Sequence, residues 1–538
     1  MKKTDTTQAY QDEDTETSVV DKLPRKLYIS KQIQVITDSK SALMNQERVK
    51  FTGAAPRPEI ATAFPDRFDK LSNIYQIRDM PEGKTGIQTA GRVFRIKRMG
   101  KLTFADLSDY TGSIQISLSV DVLGQERYAT YLDNVANGDI LGVTGSLYRT
   151  KKGELTVAVE DATLLAKSQR PMPEKWHGLQ DQETKWRQRY VELFSDHEAM
   201  DRFMKRSRMV RQIRNYLEAN GFVEVETPVL QHQISGANAK PFTTHHNALD
   251  ENLVLRIAPE TFLKRLIVGG YERVFEIGKN FRNESIDPEH LQEFTMLEYY
   301  AAYWNYRDNL NFTRRLLTSV IGDVNSGSLV VKFGVRELDF GSWRTVTFRD
   351  LVLADSGIDV FQHRTVGELD AEIRRRGIEV DREPGMSLGK LYDKLYKRVS
   401  RPNLIQPTIV TGYPTEIVPL ARANRDDPRV LDMYQVLVNG WEIVKAYSEL
   451  VDPAEQRKRF QEQAALRRAG DQEALDVDRD YLRAMEYGMP PVSGTGIGID
   501  RLAALLTNSK NLREILLFPL LREEIEVQPS EKQRGGAL

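Results

Sequence analysis

The chain has no cysteine in 538 residues. That excludes disulfides, cysteine-ligated zinc, iron–sulfur clusters and thiol nucleophiles. Histidine is sparse, with seven copies and no histidine–cysteine cluster. The only metal the sequence supports is therefore a hard, oxygen-ligated ion such as Mg2+. No apolar run approaches the ~20 residues needed to span a bilayer. The first residues, MKKTDTTQAYQDEDTETS, have no apolar core after their lysines, so no secretory signal is expected. An excess of either charge is also missing: Lys and Arg number 76 against 77 Asp and Glu. Net charge gives no sign of nucleic-acid binding, and only local patches, Arg92–Lys101 and Lys205–Arg214, could supply it. A cytoplasmic protein is the expectation.

What is present is ample core, 40% hydrophobic against 28% charged residues, in a length that suits two to four domains. Residues 1–65 read as an N-terminal extension, polar and partly disordered. Residues 66–170 change to a strand-like period, with short runs such as SIQISLSV broken by Gly and polar turns and a helix near Glu126–Asn134. That pattern matches an OB-fold β-barrel in size. Over residues 171–523, short strands and helices alternate without a regular βαβ rhythm. An α+β domain on an antiparallel or mixed sheet is predicted. It includes a helix over Ala199–Asn220 stopped by Gly221, a strand in FVEVETPVL ending at Pro228, and a charged helix over Arg457–Gly470. Residues 524–538 read as a flexible tail.

Two segments carry chemistry. FEIGKNFRNESIDPEHLQEFTMLEYY (275–300) holds Arg282, and GTGIGIDRLAAL (494–505) holds Arg501. Either arginine alone could be an ordinary ion-pair partner. Two on separate elements can grip a triphosphate from both sides, with a fork that lysine cannot reproduce. His290 can donate to phosphate, and Phe294 can stack on a base. The glycine alternation fits neither the dinucleotide nor the P-loop spacing and on its own suggests close backbone packing. The carboxylates Glu260, Glu298, Glu442 and Glu449 suggest a divalent cation and a cationic substrate.

These segments resemble the signature motifs of the class II aminoacyl-tRNA synthetases, and of the lysyl-tRNA synthetase family in particular. NYLEANGFVEVETPVL resembles motif 1, which builds a homodimer interface; FRNE through EFTMLEYY resembles motif 2, and GTGIGIDR motif 3. WHGLQDQETKWRQRY, LRIAPETFLKRLIVGGYERVFEI and YSELVDP extend the similarity over about residues 66–522. The resemblance implies an ATP-dependent ligase that makes lysyl-adenylate and transfers lysine to tRNA(Lys). Arg282 and Arg501 would be catalytic. Arg282 would bind the α-phosphate and the substrate carboxylate, and Arg501 the γ-phosphate. Phe294 would stack on adenine, while Glu284, His290 and Glu442 complete the ATP site. Gly236 and Glu260 would take the α-amino group. Glu298, Tyr300 and Glu449 would take the ε-ammonium. On the barrel, Arg92, Phe104 and Gln115 would read the anticodon.

Three residues depart from the family pattern. Gln435 stands where a Mg2+-binding glutamate is usual beside Glu442, Lys445 replaces an asparagine, and Leu291 another. Exchanging a carboxylate for an amide and adding an ammonium points to fewer bound Mg2+ ions than usual. A rival reading is a synthetase-like paralogue that acts as an RNA-binding or regulatory protein. A ligase that lysylates protein or lipid ranks lower, because an anticodon domain is present and no membrane span is.

Overall fold

The computed structural model describes residues 64–172, 179–383, 385–471 and 473–523. The expected tail and all but the end of the expected N-terminal extension lie outside the described residues.

Five strands form the first domain: β1 (Ile87–Met99), β2 (Leu102–Asp109), β3 (Gly112–Ser119), β4 (Ile140–Arg149) and β5 (Leu155–Ala166). They close into a barrel in the order β1-β2-β3-β5-β4, with β3 and β5 parallel and the other pairs antiparallel. Alternation fills its interior, as with Ala105 and Leu107 on β2 and Ile114, Ile116 and Leu118 on β3. A helix, Gln125–Asn134, joins β3 to β4, one residue earlier than its predicted start. Gly145 lies where a Cβ would collide with the Ala158 carbonyl, so the barrel can close there only on glycine.

The larger domain contains β6 (Val223–Glu224), β7 (Leu230–Gln231), β8 (Thr243–His246), β9 (Glu251–Leu255), β10 (Arg273–Phe281), β11 (Glu293–Ala302), β12 (Val330–Phe333), β13 (Arg336–Asp339), β14 (Arg344–Thr347), β15 (Thr408–Thr411), β16 (Met433–Val438), β17 (Trp441–Ser448) and β18 (Val492–Gly498). Eight of them make one mixed sheet in the order β14-β15-β16-β17-β18-β11-β10-β6. Only the β14–β15 and β10–β6 pairs are parallel. The strand expected to run to Pro228 is shorter than that. The run FVEVETPVL supplies only β6 and the start of β7, because the chain peels away from β10 after Val225 and Pro228 has no N–H to extend a ladder.

Helices His197–Ala219 and Tyr306–Val324 cover one face of the sheet, packing Met209, Ile213, Phe312 and Leu316 against Phe275, Leu297, Tyr299 and Ile497. The first spans two residues more at its start than the sequence suggests, because Asp196 caps it. Helices Glu260–Val268, Phe348–Ser356, Leu388–Val399 and Arg479–Glu486 pack on the opposite face through Val274, Tyr300, Tyr447 and Met433. Helix Pro453–Arg468 buries Gln456, Phe460 and Ala464 and exposes its charges, as expected of a solvated face. The second face is only partly covered, and the gap is the cleft that holds the candidate residues.

Candidate active site

The two-residue period of β11 decides which side chains enter the cleft. Leu297, Tyr299 and Ala301 belong to the helix-covered core. Phe294, Met296, Glu298 and Tyr300 line a cleft of about 660 Å³. Register carries the same face across the sheet. Glu298 lies beside Glu276 and Gly496, Gly496 beside Lys445, and Lys445 beside Gln435. In the adjoining row Tyr300 lies beside Gly494, and Gly494 beside Tyr447. A slip in register between Val436 and Leu437 returns Glu442 to the cleft beside Lys445. The alternating glycines thus have a structural meaning. A Cβ at Gly494 would collide with the Tyr300 ring and lie 2.5 Å from Glu449 Oε1, whereas at Gly496 it would find nothing closer than 3.5 Å. Gly494 admits its neighbours, and Gly496 leaves open floor.

Arg282 follows β10 and lies over Phe294, 5.0 Å from its ring centre. Its Nε is buried with no hydrogen-bond partner among the described residues. Burial lowers its pKa, opposed by Glu284, Glu442 and Glu298. Arg501 lies in the helix Ile499–Leu506 and donates from Nη1 to the Glu442 carbonyl at 2.9 Å. The two guanidiniums therefore stand on separate elements and line one cleft. Glu284 and His290 also line it. His290 is half exposed and bonds Asp287 Oδ2 through Nδ1 at 2.8 Å.

Past the arginines the cleft is acidic. Tyr300 donates to Glu298 at 3.0 Å, and Tyr447 donates to Glu260 at 2.6 Å. Burial and the nearby Glu260 carboxylate push Glu298 up to about 8. Gly236 turns with φ +84°, and a Cβ there would lie 2.8 Å from Glu260 Cβ, so glycine brings this loop onto the acid. Behind Glu260 lies a residue the sequence reading passed over. Lys264 is fully buried, with Nζ 2.6 Å from Glu260 Oε1 and paired also to Glu449. Glu449, likewise fully buried, sits on this lysine rather than on the cleft wall.

The residues beside Glu442 fit a metal ion poorly. No group of three or more metal-ligating side chains occurs among the described residues. Gln435 Oε1 already accepts from Tyr413 at 2.7 Å. Burial would raise Glu442, but Lys445, Arg401, Arg501 and Lys397 hold it below the usual glutamate value. The cations around Glu442 favour an anion over a cation there, even with Lys397 paired to Asp393 at 2.6 Å. Leu291 lines the same cleft and packs against the core.

On the barrel, Phe104, Asp106, Gln115 and Ser117 share one face, and register places Lys97 opposite Phe104. Arg92 has the same facing by register but stands opposite Ser108, further along β2 from Phe104. Its guanidinium stacks 4.3 Å from the centre of the Phe194 ring and donates to the Gly138 carbonyl at 2.6 Å. The expected trio is therefore not brought together: Arg92 is committed to packing against Phe194, next to where Ser113 meets His197. An irregularity between Phe94 and Lys97, with Arg95 at φ +50°, puts Lys97 rather than Ile96 opposite Phe104. Counting along the strand misses that shift.

Residues 87–165 match a family described as OB-fold nucleic acid binding domain, and residues 181–522 one described as tRNA synthetases class II (D, K and N). The chain is 43% identical to the lysine–tRNA ligase of Aquifex aeolicus, over 93% of this chain and 85% of that one. It is 47% identical to that of Magnetococcus marinus, over 82% and 88%, and 40% identical to that of Thermosipho melanesiensis, over 91% and 99%. No described helix is long and apolar enough to cross a membrane. The chain belongs to the class II tRNA synthetases of the D, K and N group.

Proposed function

We infer that this chain is a lysine–tRNA ligase. It activates lysine with ATP and transfers it to the 3′ end of tRNA(Lys). The observation that carries the reading is one cleft with a buried, unpartnered arginine donor at one end and buried carboxylates at the other. An amino acid that is anionic at one end and cationic at the other fits that polarity.

Arg282 holds the lysine carboxylate against the α-phosphate, and Arg501 takes the γ-phosphate. A carboxylate oxygen attacks phosphorus in line, the bond to pyrophosphate breaks, and the adenylate forms. The adenosine hydroxyl of tRNA then takes the lysyl group and AMP leaves. Positioning and charge neutralisation suffice, and no protein nucleophile is needed. Adenine stacks on Phe294, with Glu284 and His290 beside it. Gly236 and Glu260 receive the α-ammonium. Glu298 and Tyr300 receive the ε-ammonium, with Glu449 behind them. Such a site rejects amino acids lacking the second amine, because its own charges would go unpaired.

ATP brings Mg2+ as a substrate partner. Fewer ions are held here than is usual, because Lys445 supplies positive charge beside Glu442. The barrel face around Phe104 and Gln115, with Lys97 rather than Arg92, reads the anticodon by stacking and hydrogen bonding. Val223, Val229 and Leu230 are exposed apolar residues in the motif 1 segment and form a homodimer contact. The protein works in the cytoplasm. Lysine-dependent ATP–pyrophosphate exchange tests the central reading; no exchange with lysine would leave the RNA-binding paralogue.

A further inference from the structure

Lys264 presents an unusual arrangement: a lysine buried inside the pocket that is to recognise lysine. Its ammonium touches Glu260 and Glu449 and lies 5.6 and 5.8 Å from the Tyr447 and Tyr481 ring centres. Three carboxylates, Glu260, Glu298 and Glu449, are all buried within this one cluster. Burial raises Glu298 and Glu449 above the usual glutamate value in the empty pocket, so full charge develops only as ammonium groups are received. With all three ionised they carry three negative charges, and Lys264 reduces these to two. Free lysine carries two ammonium groups, and its carboxylate goes to Arg282 at the other end.

We propose that Lys264 is a positioning residue for specificity: its fixed ammonium sets the net charge of the acidic pocket to match a substrate with two ammonium groups. The proposal rests on the lysine–tRNA ligase reading and deepens it. Lys264 does not line the cleft, so it acts through the carboxylates it holds. It clamps Glu260 against helix Glu260–Val268, while Tyr447 holds the same oxygen from β17. It also occupies Glu449, whose Oε1 has no hydrogen-bond partner among the described residues. Although burial opposes its charge, Glu260 and Glu449 raise the Lys264 pKa above the ordinary lysine value, so the cation is permanent. Uncompensated charge in a buried pocket is costly in either direction, and charge matching by an internal ion avoids both errors.

The test is a charge-restoring pair in the full-length protein: Lys264→Met, Glu449→Gln, and both together. Exchange kinetics are read for lysine and ATP separately. Each single variant is expected to raise KM for lysine by about 30-fold or more. KM for ATP is expected to stay within about twofold, which also shows that the fold survives. The double variant, with two net negative charges again, is expected to recover at least about tenfold of either loss. A double variant no better than the worse single, while still binding ATP, overturns the proposal. Lys264→Arg covers the case in which Lys264→Met does not fold. It keeps the charge and is expected to hold the lysine KM within about threefold; a loss as large as that of Glu449→Gln would also overturn it. Wild-type exchange is measured alongside. Its absence would sink the ligase reading itself, whereas wild-type exchange without rescue sinks only the role of Lys264.

Discussion

The carboxylate of Asp500 accepts the backbone N–H of Thr295 at 2.6 Å. The same carboxylate pairs with Arg206 at 2.8 Å, so one buried group joins helix His197–Ala219, β11 and the start of helix Ile499–Leu506. Its neighbour Arg501 is thereby held in register with Phe294 and Glu298. Asp500→Ala leaves the Thr295 N–H without its side-chain acceptor and, among the described residues, leaves Arg206 only its 3.2 Å bond to Thr295 Oγ1. The expected cost is about 3 kcal/mol of stability and about 100-fold in exchange kcat/KM from misplacement. Asp500→Asn keeps an acceptor for Thr295 and is expected to recover part of the rate. Thermal unfolding beside exchange kinetics checks both, and unchanged kinetics in Asp500→Ala would remove it from the site's support.

Arg282 makes a sharper case, because its Nε is buried and unpartnered while its fork lies over Phe294. Arg282→Lys keeps a charge but loses the planar fork. A drop in exchange kcat of about 100- to 1,000-fold is expected for the variant, with the thermal midpoint little changed. Full activity in Arg282→Lys would mean that a point charge suffices and that the fork reading is wrong.

How much of this site could be read from residues alone differs by residue, for physical reasons. The resemblance of EFTMLEYY and GTGIGIDR to two signature motifs brings Phe294, Glu298, Tyr300 and Arg501 to one site, and the strand period of β11 supplies the geometric reason. Lys264 could not be read that way. Glu260 and Lys264 are spaced i,i+4, the commonest pattern of an exposed helical ion pair, and nothing local says that this face is buried. The barrel shows a second limit. Arg92 and Lys97 lie on one strand, but Arg92 stands opposite Ser108, and only the irregularity between Phe94 and Lys97 puts Lys97 rather than Ile96 opposite Phe104. The run FVEVETPVL reads as a strand ending at Pro228, but pairing with β10 already stops after Val225. Long-range register, rather than local propensity, settles all three.

Glu298 gives a pH signature. Its ordinary value is 4.5, and burial with Glu260 nearby raises it to about 8. Between those values the folded, empty protein holds a proton that the unfolded chain releases. This group's contribution to stability therefore falls as pH rises from about 4.5 to about 8. On the proposed role of Glu298, receiving an ammonium requires the carboxylate, so lysine binding would expel that proton. Lysine affinity is expected to rise with pH up to about 8. Calorimetry at pH 7 in two buffers of different ionisation enthalpy is expected to show proton release, and Glu298→Gln to abolish it. Equal heats in both buffers for the wild type would refute this assignment.

The metal question turns on Gln435 and Lys445, paired across β16 and β17. Lys445→Asn with Gln435→Glu removes an ammonium and adds a carboxylate beside Glu442. That should open a place for a divalent ion. The double variant is expected to need more Mg2+ for half-maximal exchange and to show a steeper dependence than the wild type. If neither Mg2+ dependence nor adenylate formation changes, Lys445 does not stand in for metal charge.

The proposed reading face on the barrel can be tested apart from the cleft. Phe104 and Gln115 share a face far along the chain from the cleft residues. Phe104→Ala removes a stacking platform worth about 1–3 kcal/mol. It is expected to lower kcat/KM for tRNA aminoacylation by roughly 5- to 150-fold while leaving lysine-dependent exchange untouched. Lys97→Ala is expected to act in the same direction and to reduce the salt dependence of tRNA binding. Arg92→Ala should behave differently. It loses the stack on Phe194 and the bond to Gly138, so its cost is expected in thermal stability, with the effect on tRNA independent of anticodon sequence. Aminoacylation of tRNA(Lys) transcripts with altered anticodon bases discriminates these outcomes. An Arg92→Ala enzyme that loses discrimination among anticodons would restore Arg92 to the reading face.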